Sequence, residues 1–184
     1  LVIEQAPTHL QRMAYLGRAT GQRVSDLVKM RPADLADDGI FLRIGKLRDR
    51  KHFVPLNVEQ MATIKSWGVS DLDFFVTTPG TGRRCSANYL NTLWNSWRES
   101  PAAEPLRGRK MTIHGLRATK INDLRCAGTE DGAIADELGM SPKMVARYVR
   151  FADKAASARA SRDRRERKRV EYVNPVISLK TRGS

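Results

Sequence analysis

Ser141-Pro-Lys-Met-Val-Ala-Arg-Tyr-Val-Arg-Phe151 reads as a short, capped helix that sets a tyrosine between arginines, Arg147-Tyr148-Val149-Arg150. Tyr148 has two readings. It can be an amphipathic side chain packed on a core, or a phenol held against a phosphate. A free phenol, with its pKa near 10, is a weak nucleophile. Neighbouring cations favour its anion and raise its reactivity. Arg147 and Arg150 are close in sequence, but spacing alone does not make them face Tyr148. The rest of the chain has to decide between the readings.

Immediately upstream, the pattern predicts two more helices, at about 112–127 and 130–138, with Gly128 and Gly139 as their stops. Thr112 can cap the first, which puts His114 and Arg117 of His-Gly-Leu-Arg in its opening turns and on one face. A histidine and an arginine at a helix N-terminus suit an anion, because free N–H groups and the helix dipole add positive potential there. Histidine also moves protons near neutral pH. The plainer alternative is an exposed histidine and a solvated arginine that merely flank a cap.

Further back, Thr20-Gly-Gln-Arg-Val-Ser-Asp26 makes a turn that delivers Arg23 to a helix start, with Asp26 following on the same face. Guanidinium matches phosphate in a bidentate fork, although an ordinary Arg–Asp pair fits the spacing equally well. Gly39–Gly45 and Lys51–Leu56 are β-leaning runs around a charged turn, which predicts a hairpin with Lys46 near its tip. Lys46 could protonate an alkoxide leaving group, or serve only to keep the hairpin soluble. The remaining expected elements are helices at about 3–18, where Pro7 in the first turns allows a later start, and at 25–30, a helix capped by Asn57 that runs to about Trp67, and another capped by Ser86. Asp73–Thr77 reads as a short strand or extended segment, and 100–110 as a loop rich in proline and basic residues. The fold class is therefore mainly α with a small antiparallel β-hairpin.

The chain has 184 residues and a formal net charge of +13, enough length for one core and enough charge to concentrate anionic polymers. Nucleic acid is the expected partner. A membrane is not, since no apolar run approaches about 20 residues. Leu1-Val-Ile3 leads straight into polar residues, so the expected location is cytoplasmic. The abrupt start predicts the C-terminal part of a longer protein. Cys85 and Cys126, two cysteines far apart, build neither a disulfide framework nor a zinc site alone, and both read as reduced and structural. There is no P-loop and no evident carboxylate cluster of the two-metal kind. Gly80-Thr-Gly82 lacks the spacing and lysine of a nucleotide loop.

Taken together, Arg23, Lys46, His114-x-x-Arg117 and Tyr148, in this order in a basic helical chain, resemble the catalytic domain of the phage-integrase (tyrosine recombinase) family. Thr20–Asp26 is similar to its first arginine box, and Gly45-Lys46 before Val54-Pro-Leu56 to its lysine hairpin. His114-Gly-Leu-Arg117 is similar to its second box. Leu138-Gly139 with Ser141–Tyr148 is similar to its nucleophile box. The likeness runs over roughly residues 5–150. One position departs: Met140 stands where the family usually has His or Trp, and the Gly139–Tyr148 segment is one residue shorter than the commonest spacing. Methionine fills space but is a poor hydrogen-bond partner for phosphate.

The resemblance implies the DNA breaking-rejoining fold and a site-specific recombinase or integrase. Tyr148 would form a 3′-phosphotyrosyl link, Arg23 and Arg117 would hold the non-bridging oxygens, His114 would assist proton transfer, and Lys46 would be the general acid. No cofactor and no metal would be required. The implied partners are double-stranded DNA, further copies of the chain in a tetrameric synapse, and accessory DNA-bending proteins. It also implies a catalytic domain over 1–169, a tail at 170–184 that packs on a neighbouring protomer, and an N-terminal core-binding domain lying outside this chain. Two alternatives remain open at this point: a sequence-specific DNA-binding protein of the same fold that has lost cleavage, and a type IB topoisomerase-like enzyme that only relaxes DNA. The basic run Arg162–Arg169 fits a solvated helix face and a DNA-backbone contact equally well.

Overall fold

The computed structural model describes residues 2–43, 51–109, 111–150 and 161–168. A 3₁₀ turn, Val2–Gln5, precedes α1, Thr8–Thr20. The helix read over about 3–18 thus takes the later start that Pro7 sets, because proline has no N–H to donate into a preceding turn and restricts the residue before it. α2 is only Val24–Leu27, shorter than the pattern suggests, and a 3₁₀ turn at Pro32–Asp34 follows. β1, Gly39–Arg43, pairs antiparallel with β2, Lys51–Pro55, as the expected hairpin. Alternation sets its faces: Ile40, Leu42 and Val54 are buried, while Phe41 and Phe53 pack on one another across the other face at 5.1 Å. Lys46 lies outside the described residues.

α3, Val58–Ser66, starts at Asn57 with a reciprocal capping box: Asn57 Oδ1 accepts from the Gln60 N–H, and Gln60 Oε1 accepts from the Asn57 N–H. Asp73–Thr77 is not a strand. No neighbouring strand is available to it among the described residues. Its backbone is held instead by single contacts: Phe75 N–H donates to the Met30 carbonyl, and Thr77 bridges Arg84. α4, Ala87–Arg98, is capped by the Ser86 hydroxyl and buries Leu90, Trp94 and Trp97 at helical spacing. The basic loop that follows contains a 3₁₀ turn, Pro101–Leu106. α5, Ile113–Cys126, and α6, Asp131–Leu138, match the sequence pattern, and α7 covers 142–150. Gly128 and Gly139 both sit at positive φ just beyond their helices. Residues 161–168 are helical and every one is exposed; the tail expected at 170–184 lies outside the described residues.

Two apolar clusters hold these elements. The larger joins α1 and α2, the hairpin, α3 and α4 around Leu10, Met13, Leu27, Ile40, Phe75 and Trp94. The smaller unites Ile121 of α5, Ile134, Ala135 and Leu138 of α6, and Val145 and Val149 of α7. α5 belongs to both, since its Ile113 lies in the first. It also packs tightly on α1: a Cβ at Gly17 would fall 2.8 Å from Leu116 Cδ1, so a larger residue there would have to displace that methyl. An Arg18–Asp123 ion pair ties the same two helices. Cys85 is buried in the larger cluster, but Cys126 is exposed on the last turn of α5 and belongs to neither cluster among the described residues. Among the described residues, no helix is long and apolar enough to cross a membrane.

Candidate active site

The nucleophile candidate owes its position to burial of its own helix. Val145 and Val149 lie on one face of α7 and are almost wholly buried, each contributing roughly 1.5–3 kcal/mol. Tyr148, three residues beyond Val145, packs its ring on the edge of the smaller cluster and turns its hydroxyl outward. The packing reading of this tyrosine thus applies to its ring and leaves the hydroxyl at the edge of the cluster. Its Oη lies 2.7 Å from His114 Nε2. The rings are 5.9 Å apart and tilted at 43°.

His114 is held by the start of α5. Thr112 Oγ1 accepts the Gly115 N–H, as the cap predicted. Just before it, the Met111 carbonyl accepts from both Trp94 Nε1 and Arg98 Nη1, which pins the helix entry to α4. One turn on, Arg117 is only 1 % exposed. Its Nη1 donates to the Gly21 carbonyl at 2.8 Å and its Nη2 to the Leu138 carbonyl at 3.2 Å. Burial pushes its ionisation below the ordinary guanidinium range, and the charge of Arg23 adds to this. Tyr148 and Asp26 act in the opposite direction. Two cations, a phenol and a carboxylate thus act on one another at this point.

Arg23 is the N-cap residue of α2. Together with His114, Asn122, Met144, Arg147 and Tyr148 it lines an open cleft of about 780 Å³. The structure thus gathers four of the five residues singled out from the sequence, Arg23, His114, Arg117 and Tyr148, around one region; the fifth, Lys46, lies outside the described residues. Arg147 lines the cleft, while Arg150, also exposed, is not among the lining residues. Met140 packs partly buried against the smaller cluster and is not on the cleft wall.

Several contributors carried no signal in sequence spacing. The end of α6 is a hub. The Glu137 carbonyl accepts from His52 Nε2 of β2 at 2.9 Å, and the Leu138 carbonyl accepts from Arg117 and, at 3.5 Å, from Gln22 Nε2. Lys120 pairs with the Glu137 carboxylate at 3.0 Å, both side chains largely buried. Carbonyls at a helix end lack intrahelical partners, and here they are satisfied by the hairpin, the turn after α1, and α5. Gln22 stands inside the first arginine box and His52 inside the hairpin strand, yet neither residue type announces that use.

The model of the phage integrase family matches residues 2–155. The chain belongs to the phage integrase family. Solved structures similar to this integrase-family chain include XerA recombinase, at 21% identity and a TM-score of 0.69, covering 89% of this chain and 62% of that one. A lambda integrase dimer bound to a COC′ core site gives 20% identity and a TM-score of 0.62, over 80% of this chain and 43% of that one. A lambda integrase tetramer bound to a Holliday junction gives 19% identity and a TM-score of 0.62, over 80% and 44%. The integrase-family chain therefore spans between 43% and 62% of the length of these structures. At such identity they establish its fold: mainly helical with a two-stranded antiparallel sheet, as in tyrosine recombinase catalytic domains. No curated protein matches it.

Proposed function

We propose that this chain is the catalytic part of a site-specific DNA recombinase, an integrase that cleaves and rejoins DNA through a 3′-phosphotyrosyl intermediate. The observation that carries the reading is the 2.7 Å contact of Tyr148 Oη with His114 Nε2 at a cleft lined by Arg23 and backed by buried Arg117. His114 Nε2 accepts the phenolic proton as Tyr148 Oη attacks phosphorus. The new O–P bond forms as the bond to the 5′-oxygen breaks. Arg23 and Arg117 hold the non-bridging oxygens, where the added charge gathers in the transition state. The 5′-oxygen leaves with a proton, for which Lys46 is the donor. Religation is the reverse step. The phosphotyrosyl bond conserves the energy of the broken one, so the scheme requires neither ATP nor a metal.

Double-stranded DNA is the substrate of this reading, and strand exchange assembles further copies of the chain on it. The dimer and tetramer of lambda integrase on DNA support that assembly by analogy of fold. The +13 net charge supports the substrate class, because phosphate neutralisation drives such binding.

Incubating the protein with nicked duplex DNA from its own replicon, without metal or ATP, and then denaturing in detergent tests the reading. A DNA-linked band is expected, and it vanishes in Tyr148→Phe. A second reading, a DNA-binding protein that has lost cleavage, is favoured by one observation: Met140 faces the apolar cluster and brings no hydrogen-bonding group to the cleft. DNA binding with no covalent band, and identical behaviour of wild type and Tyr148→Phe, would select it.

A further inference from the structure

A second cavity, of about 330 Å³, is lined by Asp26 of α2 and by the residues that follow it, Lys29, Arg31 and Asp34. Its wall carries Lys29, Arg31 and Arg84 around Phe74. The guanidinium carbon of Arg31 sits 4.5 Å from the centre of the Phe74 ring, and that of Arg84 sits 5.9 Å from it. One ring thus gathers two arginines. Each cation–π contact is worth only about 0.5–1 kcal/mol at an exposed site, and the two like charges it assembles repel one another.

Two carboxylates, Asp26 and Asp34, share the wall with these three cations. Asp26 is 5% exposed and acts on the buried Arg117. Asp34 turns one carboxylate oxygen to the backbone N–H of Arg31. Among the described residues, no ion pair engages Lys29, Arg31 or Arg84. Three exposed cations, none of them in an ion pair among the described residues, converge on one hollow and favour an anion from outside.

Position identifies it. α2 is a single turn, with Arg23 at its start lining the active cleft and Asp26 three residues on lining this cavity. A duplex seated at Arg23 carries one charge per about 1.7 Å of its axis, so further phosphates lie within reach of the neighbouring wall. We propose that Lys29, Arg31 and Arg84, the arginines held on Phe74, bind a phosphodiester of the DNA backbone flanking the one in the cleft. This inference rests on the reading of the chain as a DNA recombinase. The role is sequence-independent: it positions the duplex rather than reading its bases.

The test is the salt dependence of binding to a mixed-sequence duplex, followed by fluorescence anisotropy. Log K against log salt falls with a slope of about −0.9 for each neutralised phosphate. Arg31→Gln with Arg84→Gln is expected to make the slope shallower by about one to two units, that is, by one or two phosphate contacts. Lys29→Gln leaves the Phe74 stack in place and should flatten it by about one unit, which keeps the test decisive if the double variant folds poorly. Lys65→Gln with Arg107→Gln removes as much charge elsewhere and should leave the slope unchanged. Equal slopes for wild type and the cavity variants, or the same flattening in the control, overturn the inference alone. Failure of the wild-type chain to bind the duplex overturns both it and the recombinase reading.

Discussion

The guanidinium of Arg117 donates a 3.2 Å hydrogen bond to the carbonyl of Leu138, the last residue of α6. A phosphate-binding candidate thereby also closes a helix end, and the helix after that end carries Tyr148. With its second bond to Gly21, Arg117 joins three pieces of chain at one buried point. Arg117→Ala leaves both carbonyls without this donor. Hydrogen bonds to charged groups are worth about 1.5–3 kcal/mol, so urea denaturation should show a stability loss of about that size. Arg117→Lys should recover only part, since an ammonium cannot reproduce the fork.

Gly21 is the other half of that junction. It has φ of +62°, and a Cβ there would lie 2.8 Å from Leu138 Cδ2 and 3.0 Å from Lys120 Cγ. Gly21→Ala meets both the left-handed backbone penalty, about 1–2 kcal/mol, and the contact with Leu138. Its urea midpoint should fall, and covalent trapping should slow because the acceptor of Arg117 has moved.

His114 and Tyr148 separate chemistry from folding. His114→Gln loses the proton acceptor but remains on an exposed helix turn. The rate of covalent trapping should drop by about 10²–10⁴, with little change in melting temperature. Tyr148→Phe keeps the ring on the smaller cluster, so it should melt within about 1 kcal/mol of wild type while trapping nothing.

His9, in the first turn of α1, has its pKa held below the usual 6.5 by burial, and its Nε2 is buried without a hydrogen-bond partner. The folded state therefore binds this proton less readily than the unfolded chain. Its stability is intact above pH 6.5 and falls as the pH drops from there towards the lowered value. Melting temperatures measured between pH 7.5 and 5 should decline, and His9→Phe should flatten that decline.

The two thiols should separate cleanly. Burial pushes the Cys85 thiol up, against a smaller opposing effect of its hydrogen bond with Thr78, while Cys126 is exposed. A thiol-specific chromogenic reagent should titrate one cysteine in the native protein and two after unfolding. Cys126→Ser should abolish the native signal.

What the sequence determined by itself was mostly local. The caps at Asn57, Ser86 and Thr112, the hairpin, and the glycines ending α5 and α6 all rest on neighbours within a few residues. Backbone preference and side-chain caps act at that range. The order of Arg23, His114, Arg117 and Tyr148 was likewise written in the chain, and it pointed to the family. Pro7 set the later start of the first helix at short range too, whereas distant contacts decided that Asp73–Thr77 found single backbone contacts instead of a strand partner. Only the tertiary structure decided that Tyr148 both packs and points outward, and that Arg147 rather than Arg150 lines the cleft. It also decided that Met140 packs on the apolar cluster, and that the end of α6 gathers His52, Gln22 and Arg117. A carbonyl is the same in every residue, so no letter in the sequence marks the two, at Glu137 and Leu138, that between them accept from three elements. That choice is made when helices pack, because a buried helix end must find its hydrogen bonds wherever the fold brings donors.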